Sequence, residues 1–564
     1  MVRVFDERGI TAKGKLIPRE RIALFGEYHF EPGERIAIKD GKERDYIRVA
    51  EQALAEPIPV LPLSLYREFD TNGNRTRFEE VCFSRRRKMF ALTVAEAFER
   101  KGRFTEKLLD YLYATLEETT WVLPAHNRHD PVHLADGFPN IYGGNYTQNI
   151  DLFSAMAGAE VAMAYYLHRE AILAVSPAFA ERIEYEISER IYKPFLLRRN
   201  FWMGGLSQQA PNNWTVWIIT NILTALAVTD TPEYLREKIV DKALVCMDNL
   251  TETYPRDGGC DEGASYWHNA GGAYFSCLEL LYALSGGAID VFDHPFVRAM
   301  GEYPVKMNID GVISVNFADC APRVSIASPL IYRFGQAVGS EIMCEASASA
   351  LAKQRAELAL RSADLPMPSY SDKPFTTLKS LLMPYPESKG TFSHPRAVVY
   401  PDLGVMVLRE SESGGEGLVL AAKGGHNGES HNHNDVGTVS VYDGGKPLLI
   451  DAGTQTYTAA TFNPKTRYTL WHTRSCYHNL PSFGGFEQSA GRDFAASGEV
   501  FDEAGRSFSL EIAGAYPKEA GIISCRRTST LGEGCVTVRD AVRLQRECEA
   551  VWSFMAADEP SIES

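Results

Sequence analysis

The sequence predicts a multidomain chain of α and β structure: an N-terminal (α/α) toroid or incomplete barrel followed by a C-terminal antiparallel β-sandwich. Three observations carry that expectation. From about residue 45 to 365 apolar residues recur at three and four positions, the spacing of a helix face. From about residue 390 the period falls to two, with Gly, Asp and Pro turns between short β-rich runs, the pattern of an antiparallel sheet. Between them lie the Pro- and Ser-rich stretches LPMPSYSDKPF (365–375) and MPYPESKGTFSHP (383–395), which mark a linker region. The expected domains are therefore 1–380 and 381–564.

Within the first domain, DLFSAMAGAEVAMAYYLHRE (151–170), NWTVWIITNILTALAV (213–228) and AYFSCLELLYALSGG (273–287) are apolar nearly all round. Helices of that kind are buried among other helices rather than laid on a sheet. Long loops rich in Gly, Asn, Pro and His separate them, notably PAHNRHDPVHLADGFPNIYGGNYTQN and YPRDGGCDEGASYWHNAGG. Loops of that length in a helical domain are usually functional. In the second domain, AVVYPDLGVMVLRE, GLVLAAK, TVSVYDGGKPLLIDAG, SFSLEIAG, GIISCRRTSTL and CVTVRDAVRL alternate as strands, and YDGGKP is a hairpin signal.

Composition narrows the function classes. With 564 residues, 45% apolar and 23% charged, the chain is an ordinary packed globular protein. A formal charge of -15 argues against a general nucleic-acid or membrane-surface binder, both of which need a broad positive field. It leaves room for a polyanion held in a locally basic cleft, for which Arg256, Lys423, Arg467 and Arg474 are candidates. The short run Arg85-Arg86-Arg87-Lys88 is expected on a solvated helix face. No window of 18 uninterrupted apolar residues occurs, and the N-terminus MVRVFDERGITAKGK lacks the apolar core of a signal peptide. The ten cysteines are scattered with no C-x-x-C pair, as expected of reduced thiols. The expected location is cytoplasmic for the chain as it stands, and secreted where a leader has been removed.

The residues with most chemical content are the histidines. Five of thirteen fall between 426 and 478, around HNHND (431–435). Two His at i and i+2 on an extended strand share a face. His433, Asp451 and His478 together supply two imidazoles and a carboxylate, a set that suits Zn or another divalent first-row ion. A polar sheet edge of hydrogen-bonded histidines is the alternative. A cupin is not, because no Glu follows within NDVGTVSVYDGG. In the helical half, Asn212 and Asn213 open an apolar helix, a position Asn favours as a cap. Tyr266 sits beside Trp267 in a Gly-rich loop, where a packing role is common. Asp257, Asp261 and Glu262 raise paired-carboxylate glycoside hydrolysis, with Asp261 and Glu262 as the candidate pair.

Taken in order, WVLPAHN, IDLFSAMAG, NNW, DEGASYW, HNHNDVG, LLIDAGTQTY, RY and HNLP, from about residue 121 to 480, resemble the heparinase II/III family of polysaccharide lyases. The resemblance implies an (α/α) toroid packed on a β-sandwich. It also implies cleavage of uronate-containing polysaccharides, glycosaminoglycans (hyaluronan, chondroitin or heparan type) foremost and alginate or oligoalginate as the alternative, by β-elimination. It assigns Asn212 to the uronate carboxylate, with Asn213 as a second contact, and Tyr266 to catalysis. His431 matches the active-site histidine and Tyr468 a second site tyrosine, with Tyr457 competing for that place. His126 matches a position near the cleft, while Trp267, Glu262 and Arg467 are expected against substrate. His433, Asp451 and His478 match the metal ligands of one divalent ion, mainly structural, with Zn expected and Mn the alternative. The implied partner is an acidic polysaccharide, with neither nucleic acid nor membrane. A binding or scaffold protein that keeps the fold without turnover is the non-enzymatic alternative.

The chemistry accounts for those residue types. The C5–H of a uronate is a poor acid because the neighbouring carboxylate is already negative. Donors aimed at that carboxylate stabilise the charge that grows as the proton leaves, a role for Asn212 with Asn213 or His431. Tyr266 is expected to take the C5 proton and return it to the departing O4. A phenol with a pKa of about 10 is mostly protonated at neutral pH, so a charged His431 or Arg467 is expected to lower it. For the other uronate epimer a His would serve as base and Tyr266 as acid.

Overall fold

The computed structural model describes residues 2–37, 43–129, 149–204, 210–360, 373–390, 392–457, 461, 463 and 465–559. Most of the loop expected over 124–149, and of the linker expected over 365–375, lies outside them. By packing, the chain divides into two compact units. One comprises Met1–Thr253, Ala273–Val291 and Glu357–Pro384; the other comprises Tyr254–Gly272, Phe292–Ala356 and Tyr385–Ser564.

The first unit is helical. Its long helices are α1 (Glu43–Ala55), α2 (Thr76–Glu99), α3 (Thr105–Leu116), α4 (Leu152–Val175), α5 (Pro177–Ile187), α6 (Asn213–Val228), α7 (Glu233–Thr253) and α8 (Gly271–Leu284), the last running in from the other unit. α1 packs on α2, α2 on α3, α3 on α4, α4 on α5 and α6 on α7, and α4 also packs on α2 and α6. α6, and α4 as far as His168, are buried on nearly all faces, as their near-continuous apolar sequence predicts. The start of α4 is fixed by a capping box in which Asp151 accepts from Ser154 N and Ser154 Oγ accepts from Asp151 N. The Arg85–Lys88 run is not wholly a solvated face: Arg85 and Arg86 are buried and both pair with Glu118, because two guanidiniums inside a helical core need a carboxylate. Among the described residues no helix is long and apolar enough to cross a membrane.

The second unit holds the sheets. After α9 (Pro295–Met307) comes the hairpin β1 (Asn308–Asp310) and β2 (Ile313–Ser314), then α10 (Pro329–Val338). The main sheet contains β3 (Ala397–Tyr400), β4 (Val405–Arg409), β5 (Leu418–Lys423), β7 (Val439–Asp443) and β8 (Lys446–Leu449) in that order; β6 (His426–Asn427) pairs with β10 (Gly491–Ala495), and β9 (Pro481–Phe483) with the strand Ala550–Trp552. A second sheet is formed by β11 (Ser497–Asp502), β12 (Ser507–Glu511), β13 (Ile522–Leu531) and β14 (Val536–Leu544). Every pairing is antiparallel. The two sheets share one apolar core, Met406, Leu408, Leu420 and Val441 from the first with Phe508, Leu510, Cys525 and Leu531 from the second, which is a sandwich. Asp443 pairs with Lys446 across Gly444 and Gly445, at φ of +55° and +73°, the two-residue turn that the sequence signals.

The division by packing differs from the sequence boundary at 380. Segments 254–272 and 292–356, expected in the helical domain, belong with the sheets. Hydrogen bonds explain why: Arg409 Nη2 donates to the carbonyls of Lys306 (2.7 Å) and Asn308 (2.9 Å), and Asp402 N donates to Asp257 (2.7 Å). Apolar period alone cannot foresee such polar fastening.

Candidate active site

Two loops of the second unit frame the site. The segment 260–267 lies against 316–321 so closely that a Cβ on Gly263 would meet the Phe317 carbonyl at 2.7 Å, and its φ of +86° favours glycine. Ser265 Oγ accepts from Ala321 N (2.7 Å), and the Cys320 carbonyl accepts from Thr454 N (3.1 Å). The segment 316–321 is thereby tied to the Tyr266 loop on one side and the Asp451 loop on the other. At its centre Ala318 adopts φ of +62°, strained for a residue with a Cβ.

Next in sequence is Asp319, fully buried, and its two oxygens collect four hydrogen bonds. Oδ2 accepts from His431 Nδ1 (2.8 Å), Arg467 Nη2 (3.1 Å) and the Tyr457 hydroxyl (3.2 Å), while Oδ1 accepts from His433 Nε2 (2.9 Å). Burial alone would raise this carboxyl, but the two imidazole bonds and the Arg467 charge hold it far below the ordinary carboxylate range. No sequence pattern announces Asp319; it stands alone in FADCA. The HNH motif is not a strand either. His431 lies in a turn at φ of +54°, and it is the shared carboxylate that brings both rings together.

The Tyr266 and His431 rings are in contact, with centroids 4.3 Å apart and planes tilted by 34°. The Tyr266 hydroxyl is hydrogen-bonded to that of Tyr457. Because Asp319 can only accept, the Tyr457 proton points to it, and in the neutral pair Tyr266 donates to Tyr457. The expectation that cations lower the Tyr266 pKa is not met. Burial, aided by the charges of Asp319 and Glu262, outweighs Tyr457 and Arg467 and pushes the phenol up to about 12. Burial likewise opposes charge on His431, but the Asp319 hydrogen bond and the Glu262 charge prevail, so this imidazole lies above its ordinary range. Tyr457, rather than Tyr468, meets Tyr266; the Tyr468 hydroxyl accepts from Asn432 Nδ2 (3.2 Å).

His433, Asp451 and His478 bring one ligand atom each within 4.8 Å of one another, all buried. The donor set fits a divalent ion on two counts. His433 uses Nε2 on Asp319, and its buried Nδ1 has no hydrogen-bond partner among the described residues. His478 Nε2 faces the His472 carbonyl at 2.8 Å and must carry a proton, which leaves the Nδ1 lone pair 2.8 Å from Asp451 Oδ2. Two acceptors at that distance need a proton or a cation between them. Burial opposes the charges of this pair, yet their mutual attraction raises His478 and lowers Asp451.

Several expected substrate contacts are otherwise engaged. Trp267 is buried, donates to the Met300 carbonyl (2.7 Å) and stacks on Phe334; it is a core residue. Arg467 is buried and clamps Asp319 and the carbonyls of Asn432 and Thr461, so it positions the site rather than reaching for a polyanion. Lys423 is buried with Asp435 and Glu429, while Arg256 pairs with Asp402 and Arg474 with Glu487; all the candidate groove cations are in ion pairs. Glu262 is buried with Oε2 3.9 Å from His431 Nε2. Asp261 accepts from Ser430 N (3.2 Å), a loop-fastening role that weakens the hydrolase pair.

The remaining candidates lie in the helical unit. Asn212 caps α6, its Oδ1 accepting from Trp214 N (3.1 Å), and its amide N–H groups have no acceptor among the described residues. Asn213 is buried at the first position of the helix. His126 is held between Asp151 (2.8 Å) and Arg75 (3.1 Å), with its ring 4.7 Å from that of Trp214. The motifs WVLPAHN, IDLFSAMAG and NNW thus meet through His126.

Residues 394–563 match the family described as Heparinase II/III-like, C-terminal. No curated protein matches the chain by sequence. Among solved structures, a heparinase III aligns with a TM-score of 0.59 and 13% identity, over 96% of this chain and 77% of that one. The heparan sulfate lyase HepC from Pedobacter heparinus aligns with a TM-score of 0.54 and 11% identity, over 93% of this chain and 74% of that one. At such identity the likeness establishes the fold, a helical toroid with an antiparallel β-sandwich.

Proposed function

We propose that this chain, which carries a heparinase II/III-like C-terminal domain on a heparinase III-type fold, is a polysaccharide lyase. Its substrate is an acidic, uronate-containing polysaccharide, glycosaminoglycan in the first instance, and its product a 4,5-unsaturated uronate end. The observation that carries the reading is the Tyr266 ring 4.3 Å from that of His431, joined through Tyr457 to one buried carboxylate.

In this mechanism His431, whose charged form is favoured by its surroundings, offsets the charge of the uronate carboxylate as C5 becomes carbanionic. Tyr266 removes the C5 proton as phenolate and, reprotonated by that transfer, gives the proton to the departing O4. The C5–H and C4–O bonds break, the C4–C5 double bond forms, and no water is consumed. As Tyr266 loses its proton, the Tyr457 O–H turns from Asp319 to the phenolate, and the adjacent imidazolium adds its charge. His433 Nδ1, Asp451 and His478 Nδ1 would hold a divalent ion, expected to be Zn. When bound, it supplies the positive charge that the Asp451–His478 contact requires.

The test is a panel of hyaluronan, chondroitin, dermatan, heparan sulfate and alginate, read by mass and ultraviolet absorbance of the fragments. Fragments that absorb and carry no added water are the expected result. New reducing ends with one water added and no absorbance would replace the lyase with a hydrolase.

A further inference from the structure

We propose that Asp319 is a positioning residue that sets His431 and His433 in opposite tautomers, by accepting from one imidazole on each of its oxygens. His431 presents Nδ1 to Oδ2 at 2.8 Å, and His433 presents Nε2 to Oδ1 at 2.9 Å. A neutral imidazole has one N–H, and an ionised carboxylate can only accept. His431 is therefore protonated at Nδ1 in its neutral and its charged form alike, and turns Nε2 away from Asp319. His433 is protonated at Nε2 and turns its Nδ1 lone pair to the interior, where that atom has no hydrogen-bond partner among the described residues. One side chain thus decides which nitrogen works at the sugar and which is left to ligate a metal.

The surroundings are built to hold this carboxylate still. It is fully buried and takes four hydrogen bonds, three on Oδ2 and one on Oδ1. The backbone before it is at φ of +62° in Ala318, and its partner His431 is at +54°. Non-glycine residues persist in that region only where the fold over-determines them. Gly453 reinforces the arrangement, since a Cβ there would meet the Cys320 carbonyl at 2.6 Å. Asp319→Asn keeps the shape but replaces one acceptor oxygen with a donor, so it satisfies one imidazole only and forces the other to change tautomer or turn.

The kinetic arm of the test rests on the proposed lyase activity; the other arms do not. Histidine nitrogen resonances of the wild-type protein, recorded at alkaline pH where the imidazoles are neutral, should show His431 protonated at Nδ1 and His433 at Nε2. The same tautomer on both rings overturns the proposal, even if the variant fails to fold. In folded Asp319→Asn, at least one tautomer should change. Zinc affinity, read by competition with a chromophoric chelator, should fall about 10–100-fold, the usual effect of losing a partner of a metal-bound His. On a cleaved polysaccharide, kcat should fall by a similar factor with KM nearly unchanged. Unchanged tautomers with unchanged zinc affinity would reduce Asp319 to a partner of Arg467 alone. A wild-type protein that cleaves nothing removes the lyase reading, while tautomers and zinc affinity still decide the role of Asp319.

Discussion

Tyr266 is legible in the sequence only through its motif neighbours, since a tyrosine in a Gly-rich loop is ordinarily a packing residue. Its protonation is not legible at all, because it depends on burial and on Asp319, a carboxylate from another loop. Asp319 lies 114 residues from His433 and carries no motif, yet it helps to set the pKa of Tyr266 and the orientation of His431. The sign of the resulting pH dependence follows directly. A base must be deprotonated, and with the phenol pushed up to about 12 its active fraction rises about tenfold per pH unit through the neutral and mildly alkaline range. We expect kcat/KM to climb with pH from about 7 until His431 loses its charge. A profile that is flat or falls over that range would indicate that Tyr266 acts only as an acid.

At the scale of the element, the alternating runs that the sequence offers correspond to β3, β4, β5, β7, β8, β12, β13 and β14. The hairpin of β1 and β2, with only Asn308–Asp310 and Ile313–Ser314, is too short to show a period. The fastening of β13 to the site is also invisible in one dimension. Arg527, fully buried, donates twice to Asp540 (2.8 and 2.7 Å) and to the carbonyls of Gly437 (2.9 Å) and Asn479 (2.8 Å). Asn479 follows His478, so one guanidinium ties the second sheet to the metal-type loop. Arg527→Met leaves Asp540 buried without its cation and should cost about 3–5 kcal/mol, measured by denaturant unfolding. Burial works against ionised Asp540, but Arg527 holds its pKa below the ordinary value. The pair's contribution is therefore present above the ordinary carboxylate range and is lost as pH falls through the depressed value. A loss under 1 kcal/mol would mean the pair is dispensable.

For the whole molecule, the switch of period in the sequence identified a helical part and a sheet part, and the structure contains both. The sequence boundary at 380 and the division by packing differ over 254–272 and 292–356, which carry Tyr266 and Asp319 and pack with the sheets. The divalent ion has a global readout. Protein stripped by a chelator and then given zinc should gain about 2.7 kcal/mol of stability at a free concentration near 100 times Kd, seen as a higher Tm. The gain should vanish in His433→Ala; no gain in the wild type would leave the cluster a hydrogen-bonded one.

Proton transfer by the Tyr266 phenol is the central step of the proposed reaction. The direct measurement is the rate of unsaturated product formation by Tyr266→Phe on the polysaccharide that the wild type cleaves, with binding of that polysaccharide measured in parallel. We predict a rate lower by about 10²–10⁴-fold, the usual worth of a proton-transfer group, with binding retained. A phenylalanine variant that forms the product as fast as the wild type would contradict the assignment.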